Sequence, residues 1–247
     1  MKAIIITGAS RGIGAATARL AAQQGYTVVI NYKTNMGAAE AVVADITSRN
    51  GSAVSIQANI AEEAEVVRLF NEVDKLFGNL TCLINNASVL EEQCQLEDIS
   101  YARLNRIFNT NVFSSFICSR EAIKRMAFKY GNRGGSIVNV SSLAAKTGAP
   151  NEYVDYAASK GAIETMTVGL SKELASEGIR VNGVRPAFID TGIHMSGGDP
   201  GRIERIKNSI PMQRGGLVEE VAEAIMWLAS EKSSYTTGAF IDVTGGK

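Results

Sequence analysis

Short, wholly apolar runs alternate along this chain with longer stretches in which apolar positions recur every three or four residues. The first kind reads as strands buried on both faces, the second as helices with one apolar side. The strands expected are residues 3–7, 27–31, 53–57, 82–85, 136–140, 179–184 and 239–243, and the helices between them are 12–24, 37–50, 62–77, 101–129, 153–177 and 218–230. Regular alternation of buried strands with helices predicts an α/β fold. Its core is a seven-stranded parallel sheet, doubly wound with helices on both faces, and its ligand site lies at the carboxyl ends of the strands. No linker or repeat interrupts the rhythm, so residues 1–247 are expected to form a single domain. The one break is 188–216, rich in glycine, which reads as a substrate lid; its alternative is a surface excursion with a short helix at 202–208.

The loop after the first strand sharpens this to a nucleotide-binding, Rossmann-type domain. TGASRGIG places Gly8, Gly12 and Gly14 between a strand and a helix, with Ser10, Arg11 and Ile13 among them. Glycine lets backbone turn tightly and approach a pyrophosphate, whose charge meets the amides of the helix N-terminus. The second strand ends at Asn31, Tyr32 and Lys33, where an NAD enzyme places an acid for the adenosine ribose. With Arg11 and Lys33 as cations able to flank a 2′-phosphate, NADP(H) is expected over NAD(H).

Composition narrows the function classes. Hydrophobic residues make up 45% and charged ones 20%, a normal globular mixture. The 25 basic and 25 acidic residues leave no net field to draw the chain to nucleic acid or an anionic membrane. Small-molecule partners are expected. No run approaches the ~18 apolar residues of a membrane span. Cys82, Cys94 and Cys118 are neither an even set nor spaced as metal ligands, which points to free thiols and the cytoplasm. His194 is the only histidine, so zinc sites of the usual kind and Ser/His/Asp catalysis are disfavoured, no metal is expected, and His194 reads as a loop residue.

Candidate chemistry lies in Tyr156 and Lys160, which share a helix face, with Ser142 fourteen positions upstream of the tyrosine. A free tyrosine has a pKa of about 10, so acid–base work near neutrality requires stabilising its phenolate by roughly 4 kcal/mol. A lysine one turn away can supply that field, and a serine hydroxyl can hold the oxygen of a carbonyl or alcohol. Ser142 could equally cap a helix, and Ser141 competes with it for the role.

TGASRGIG, LINNAS (83–88), NTNVF around Asn111, IVNVSS (137–142), YAASK (156–160) and VRPAFIDT (184–191) stand in one order that resembles the short-chain dehydrogenase/reductase family over essentially the whole chain. The nearest look is to bacterial sugar dehydrogenase-like and 3-oxoacyl-carrier-protein reductase-like members. The resemblance implies an NAD(P)(H)-dependent oxidoreductase that interconverts a carbonyl and a secondary alcohol. Tyr156 would be its acid/base, Ser142 would hold the substrate oxygen, and Lys160 would bind the nicotinamide ribose. Asn111 would hold a proton-relay water, although a buried amide satisfied by backbone is its alternative. Asn59 and Ile60 would flank the adenine, Asn86, Ala87 and Ser88 would line the cofactor, and Pro186, Ala187, Ile189 and Thr191 would cradle the nicotinamide. Three positions depart from the family pattern: Asn59 stands for an aspartate, and Ser88 and Ala187 stand for glycines. The resemblance also implies a homotetramer. A nucleotide-sensing scaffold, or a lyase or epimerase using the same tyrosine, are the competing readings.

Overall fold

The computed structural model describes residues 2–78, 80–192, 197–199 and 201–247. Its strands are β1 (Lys2–Ile6), β2 (Tyr26–Tyr32), β3 (Ser52–Gln57), β4 (Leu80–Asn85), β5 (Gly135–Val140), β6 (Ile179–Pro186) and β7 (Phe240–Val243), in spatial order β3-β2-β1-β4-β5-β6-β7. Every pairing is parallel. Strands of this kind need long crossovers, which the chain supplies as helices. They are α1 (Gly12–Gln23), α2 (Met36–Ser48), α3 (Glu63–Phe77), α4 (Tyr101–Phe108), α5 (Ser114–Met126), α6 (Ala144–Thr147), α7 (Val154–Leu174), α8 (Arg202–Ile206) and α9 (Val218–Ala229).

The period-two alternation of side chains divides the core in two. Ile4, Ile6, Val28, Ile30, Ile84, Val138 and Val184 pack under α1, α2 and α9. Ile5, Val29, Leu83, Ile137 and Val181 face α3, α5 and α7 on the other side. Strand order reverses direction between β1 and β4, and at such a switch point the loops part at the carboxyl ends to leave a crevice.

Most elements fall within a residue or two of the sequence expectation, but the helix expected over 101–129 does not run through. After α4 the backbone widens into a π-helical turn at Asn109–Phe113 before α5 begins. Carbonyls loosened by such a turn need new donors, and two serines provide them: Ser114 Oγ donates to Thr110 O at 2.5 Å and Ser115 Oγ to Asn111 O at 3.1 Å. The far end also stops early, because Ala127 is extended and a separate 3₁₀ turn, Phe128–Tyr130, ends at Gly131 with φ 79°. The helix expected to reach 177 finishes at Leu174 in a tighter turn, Ala175–Glu177, closed by Gly178. Arg202–Ile206 is one helical turn continued as 3₁₀ to Ser209. His194, with the rest of 193–196 and residue 200 of the expected lid, lies outside the described residues.

Candidate active site

A cavity of about 830 Å³ opens along the carboxyl ends of β1, β2, β4, β5 and β6. Every residue expected to touch the cofactor lines it, and so does Ser142. Asn111 does not: it is buried behind the wall. Its Oδ1 accepts from Val89 N at 2.8 Å, and its Nδ2 donates to Val89 O at 3.0 Å and Ser159 Oγ at 3.1 Å.

The nucleotide end is built from the glycine loop. Gly8 and Gly12 have φ of 62° and 56°, a region that costs other residues strain. A Cβ on Gly14 would lie 2.6 Å from Asn86 Nδ2 and 2.7 Å from Gly8 O, so the helix can start there only with glycine. α1 has neither a side-chain cap nor an acid in its first turn, leaving the positive end of its dipole and its free amides to the cavity. Thr7, which sequence reasoning passed over, is the hub of this loop. Its hydroxyl donates to Ile84 O and accepts from the amides of Asn86 and Ala87, both at 3.0 Å. A polar residue at the very end of an apolar strand was the available signal.

Asn31 has a different place from the one expected for a ribose ligand. Its side chain is 2% exposed; Oδ1 accepts from Gly8 N at 3.3 Å and Nδ2 donates to Ala58 O at 3.1 Å. It therefore ties the glycine loop to the chain after β3. Asn59 likewise turns its Oδ1 to Ala61 N at 3.4 Å. Arg11 and Lys33 are exposed and form no ion pair among the described residues. Glu152 is the one carboxylate among the described lining residues, and Arg202, another lining residue, pairs with it at 2.5 and 3.1 Å.

At the reaction end, α7 carries Tyr156 and Lys160. Lys160 Nζ is buried, donates to Val140 O at 2.8 Å and sits 5.5 Å from the centroid of the Tyr156 ring. Burial lowers its pKa from 10.5 to about 8. Burial also raises the Tyr156 pKa, opposed by the hydroxyls of Ser142 and Ser88. Ser142 Oγ accepts from Ala144 N at 3.1 Å, which leaves its own proton free to be donated. Ser141, its competitor, has spent its proton on Glu164 Oε1 at 2.8 Å. Neither Ser88 nor Ala187 takes a positive φ, so both side chains are carried on ordinary backbone.

Two further residues, invisible to sequence reasoning, hold this helix in place. Arg103 of α4 donates to both oxygens of Asp155, at 2.7 and 3.3 Å, and to Glu92 O at 2.7 Å. Asp155 Oδ1 also accepts from the Tyr156 amide at 2.9 Å. The pairing with Asp155 holds the Arg103 pKa above its ordinary range. The partners are 52 residues apart, and nothing local in either segment announces the other.

Beyond the tyrosine, Phe188, Tyr153 and Arg202 complete the wall. Phe188 has φ 53°, rare for an aromatic residue, and its carbonyl accepts from Gly216 N at 3.0 Å, while Asp190 N donates to Gly216 O at 2.9 Å. Those two bonds pin both ends of the glycine-rich segment together.

The comparisons with known proteins agree with this architecture. Residues 8–247 match the family model described as enoyl-(acyl carrier protein) reductase. The chain is 56% identical to the uncharacterised oxidoreductase YgfF of Escherichia coli (strain K12), with both chains covered in full. It is 35% identical to the 3-oxoacyl-[acyl-carrier-protein] reductase FabG of Staphylococcus aureus (strain Mu50), across 99% of this chain and 97% of that one. A short-chain dehydrogenase of Burkholderia cenocepacia, solved in complex with NADP, superimposes with a TM-score of 0.90 at 31% identity, covering 99% of this chain and 97% of the other. A nucleotide crevice at the switch point of a doubly wound sheet, in a chain with these relatives, defines an NAD(P)-dependent oxidoreductase. The chain belongs to the short-chain dehydrogenase/reductase family.

Proposed function

We propose that the protein interconverts a carbonyl compound and a secondary alcohol with NADP(H), Tyr156 moving the hydroxyl proton. One observation carries this reading: an ammonium, Lys160, buried in the cavity wall beside a phenol, with a single acceptor among the described residues for its three N–H groups. A charge kept out of water on those terms suits a ligand that brings oxygen acceptors, as nicotinamide ribose hydroxyls do. When bound, the nicotinamide supplies or accepts hydride. Tyr156 then gives its proton to the substrate oxygen in reduction and takes it back in oxidation, and the Lys160 charge favours the phenolate between the two. Ser142 donates its free proton to the substrate oxygen. Asn111 acts from behind, fixing the chain at Val89 against α7.

NADP(H) is preferred because Arg11 and Lys33 form no ion pair among the described residues at the adenosine end, where the described lining residues include no carboxylate and Glu65, behind Asn59, is held by the Asn59 amide at 2.7 Å. The Burkholderia relative solved in complex with NADP supports the same choice. The chain from 188 to 216 serves as the lid, with Phe188, Tyr153 and Arg202 nearest the substrate. Exposed Phe113 and Phe116 on the π turn and α5, with Tyr101 on α4, support a homotetramer, and free buried Cys82 and Cys118 support the cytoplasm. Light scattering that gives the 26.3 kDa monomer would remove the tetramer.

The test is cofactor consumption against a panel of ketones, sugars and acyl thioesters, with NADPH and NADH in parallel. Tyr156→Phe should lose turnover by about 10²–10⁴-fold. Arg11→Ala and Lys33→Ala should raise KM for NADPH and leave KM for NADH unchanged. Cofactor binding without turnover on any substrate would favour a nucleotide sensor.

A further inference from the structure

The Ser88 hydroxyl is a buried polar atom that the site described so far does not use. Its Oγ is shut off from solvent in the wall of the cavity and has no hydrogen-bond partner among the described residues. Such an atom is costly to keep, and a small apolar side chain would avoid the cost. The backbone on either side of it is clamped. Ala87 N is held by Thr7 Oγ1, and Val89 is held through both its N–H and its C=O by Asn111. Asn111 in turn donates to Ser159 Oγ, which donates to Tyr156 O at 2.7 Å. One chain of hydrogen bonds therefore sets the position of Ser88 relative to the helical turn that carries Tyr156 and Lys160.

We propose that Ser88 is a third hydroxyl of the reaction centre, whose O–H donates to the Tyr156 oxygen when that oxygen carries the negative charge. The inference rests on the reading of Tyr156 as acid/base. Each serine has one proton to give, and Ser142 gives its proton to the substrate oxygen. When Tyr156 hands its proton to that oxygen, the O–H bond of the phenol breaks and an O–H bond of the alcohol forms. The phenolate left behind needs a donor of its own, and Ser88, in the loop three residues past β4, supplies it. In the neutral phenol the demand is weak, which is consistent with a Ser88 hydroxyl that has no hydrogen-bond partner among the described residues. Burial raises the Tyr156 pKa, and the Ser142 and Ser88 hydroxyls both oppose that rise.

The other charges around the tyrosine do not fill this role. Lys160 donates to Val140 O and faces the ring. Asp155 is neutralised by Arg103 of α4, and Glu164, behind Ser141, by Arg185 of β6. Glu152 is held by Arg202.

The experiment titrates Tyr156 itself, following tyrosinate ultraviolet absorbance as the difference between each protein and its Tyr156→Phe derivative. It compares wild type, Ser88→Ala and Ser88→Gly. Loss of a charge-assisted hydrogen bond should raise the Tyr156 midpoint by about one pH unit in both Ser88 variants, and lower kcat of reduction by about tenfold with KM for NADPH unchanged. An unchanged midpoint in Ser88→Ala overturns the proposal. So does a shift in Ser88→Ala that Ser88→Gly does not share, since that would be an effect of the added methyl. The titration needs no substrate, so an empty substrate panel would count against the reductase reading while the midpoints still decided whether Ser88 stabilises the phenolate.

Discussion

Replacing Lys160 with methionine should make the cofactor-free protein more stable at neutral pH, and the gain should reverse in alkali. The side chain is 2% exposed and, among the described residues, its ammonium has exchanged hydration for one hydrogen bond, to Val140 O. Burial takes its pKa from 10.5 to about 8. The unfolded chain keeps the ordinary value, so between those limits it binds more protons than the folded chain, and stability rises with pH across the window. The difference of 2.5 units corresponds to about 3 kcal/mol of penalty at pH 7. Lys160→Met removes that penalty but leaves Val140 O unpaired, at a cost of about 1–2 kcal/mol, for a net gain of about 1–2 kcal/mol. By pH 10 the penalty has shrunk by about 2.5 kcal/mol, and the variant should be the less stable of the two. Urea unfolding of both proteins at a series of pH values measures this directly. A stability difference that is the same at pH 7 and pH 10 would refute the picture of an ammonium held under-solvated for a ligand.

Four other outcomes follow from the geometry. Asp155→Ala leaves Arg103 buried without its counter-charge and should cost about 3–5 kcal/mol in urea unfolding, whereas the double variant Arg103→Met, Asp155→Asn should recover much of that loss. Gly14→Ala forces a methyl against Asn86 Nδ2 and Gly8 O and should abolish cofactor binding measured by fluorescence quenching. Gly161→Ala, on a turn of α7 with nothing within 4 Å of the added methyl, should instead raise stability by about 0.5–1 kcal/mol. Asn31→Ala removes the tie between the glycine loop and Ala58, and should raise Kd for NADPH and NADH by the same factor; a loss confined to one cofactor would mean that Asn31 reads the ribose after all.

Much of this fold was legible because the strands are buried on both faces. Runs such as Ile4–Ile6 and Val28–Ile30 have no polar position to confuse their period. Glycines in the first loop were legible for a related reason: the backbone they require excludes other residues. The π turn was not, since hydrophobic positions continue through 101–129 and one extra residue leaves the pattern looking helical. Asn31 lines the cavity as expected, but its bond to Ala58 O is not legible locally, because the two residues are 27 positions apart. The Arg103–Asp155 pair and the unpartnered Ser88 hydroxyl depend on where distant segments meet, which no local window contains.

The π turn at Asn109–Phe113 works as a phase adapter. An added residue rotates everything after it by about 100° relative to an uninterrupted helix. That rotation lets α4 aim Arg103 sideways at α7, while α5, a few residues later in the same rod, turns Cys118, Ala122 and Met126 onto the sheet. Without the offset, one of these two dockings would be lost. Asn111 sits in the wide turn itself, at the junction between the half that braces α7 and the half that roofs the core. A single-residue deletion there would close the turn to ordinary α-helical winding, and its first casualty would be the bonds by which Asn111 holds Val89 and Ser159.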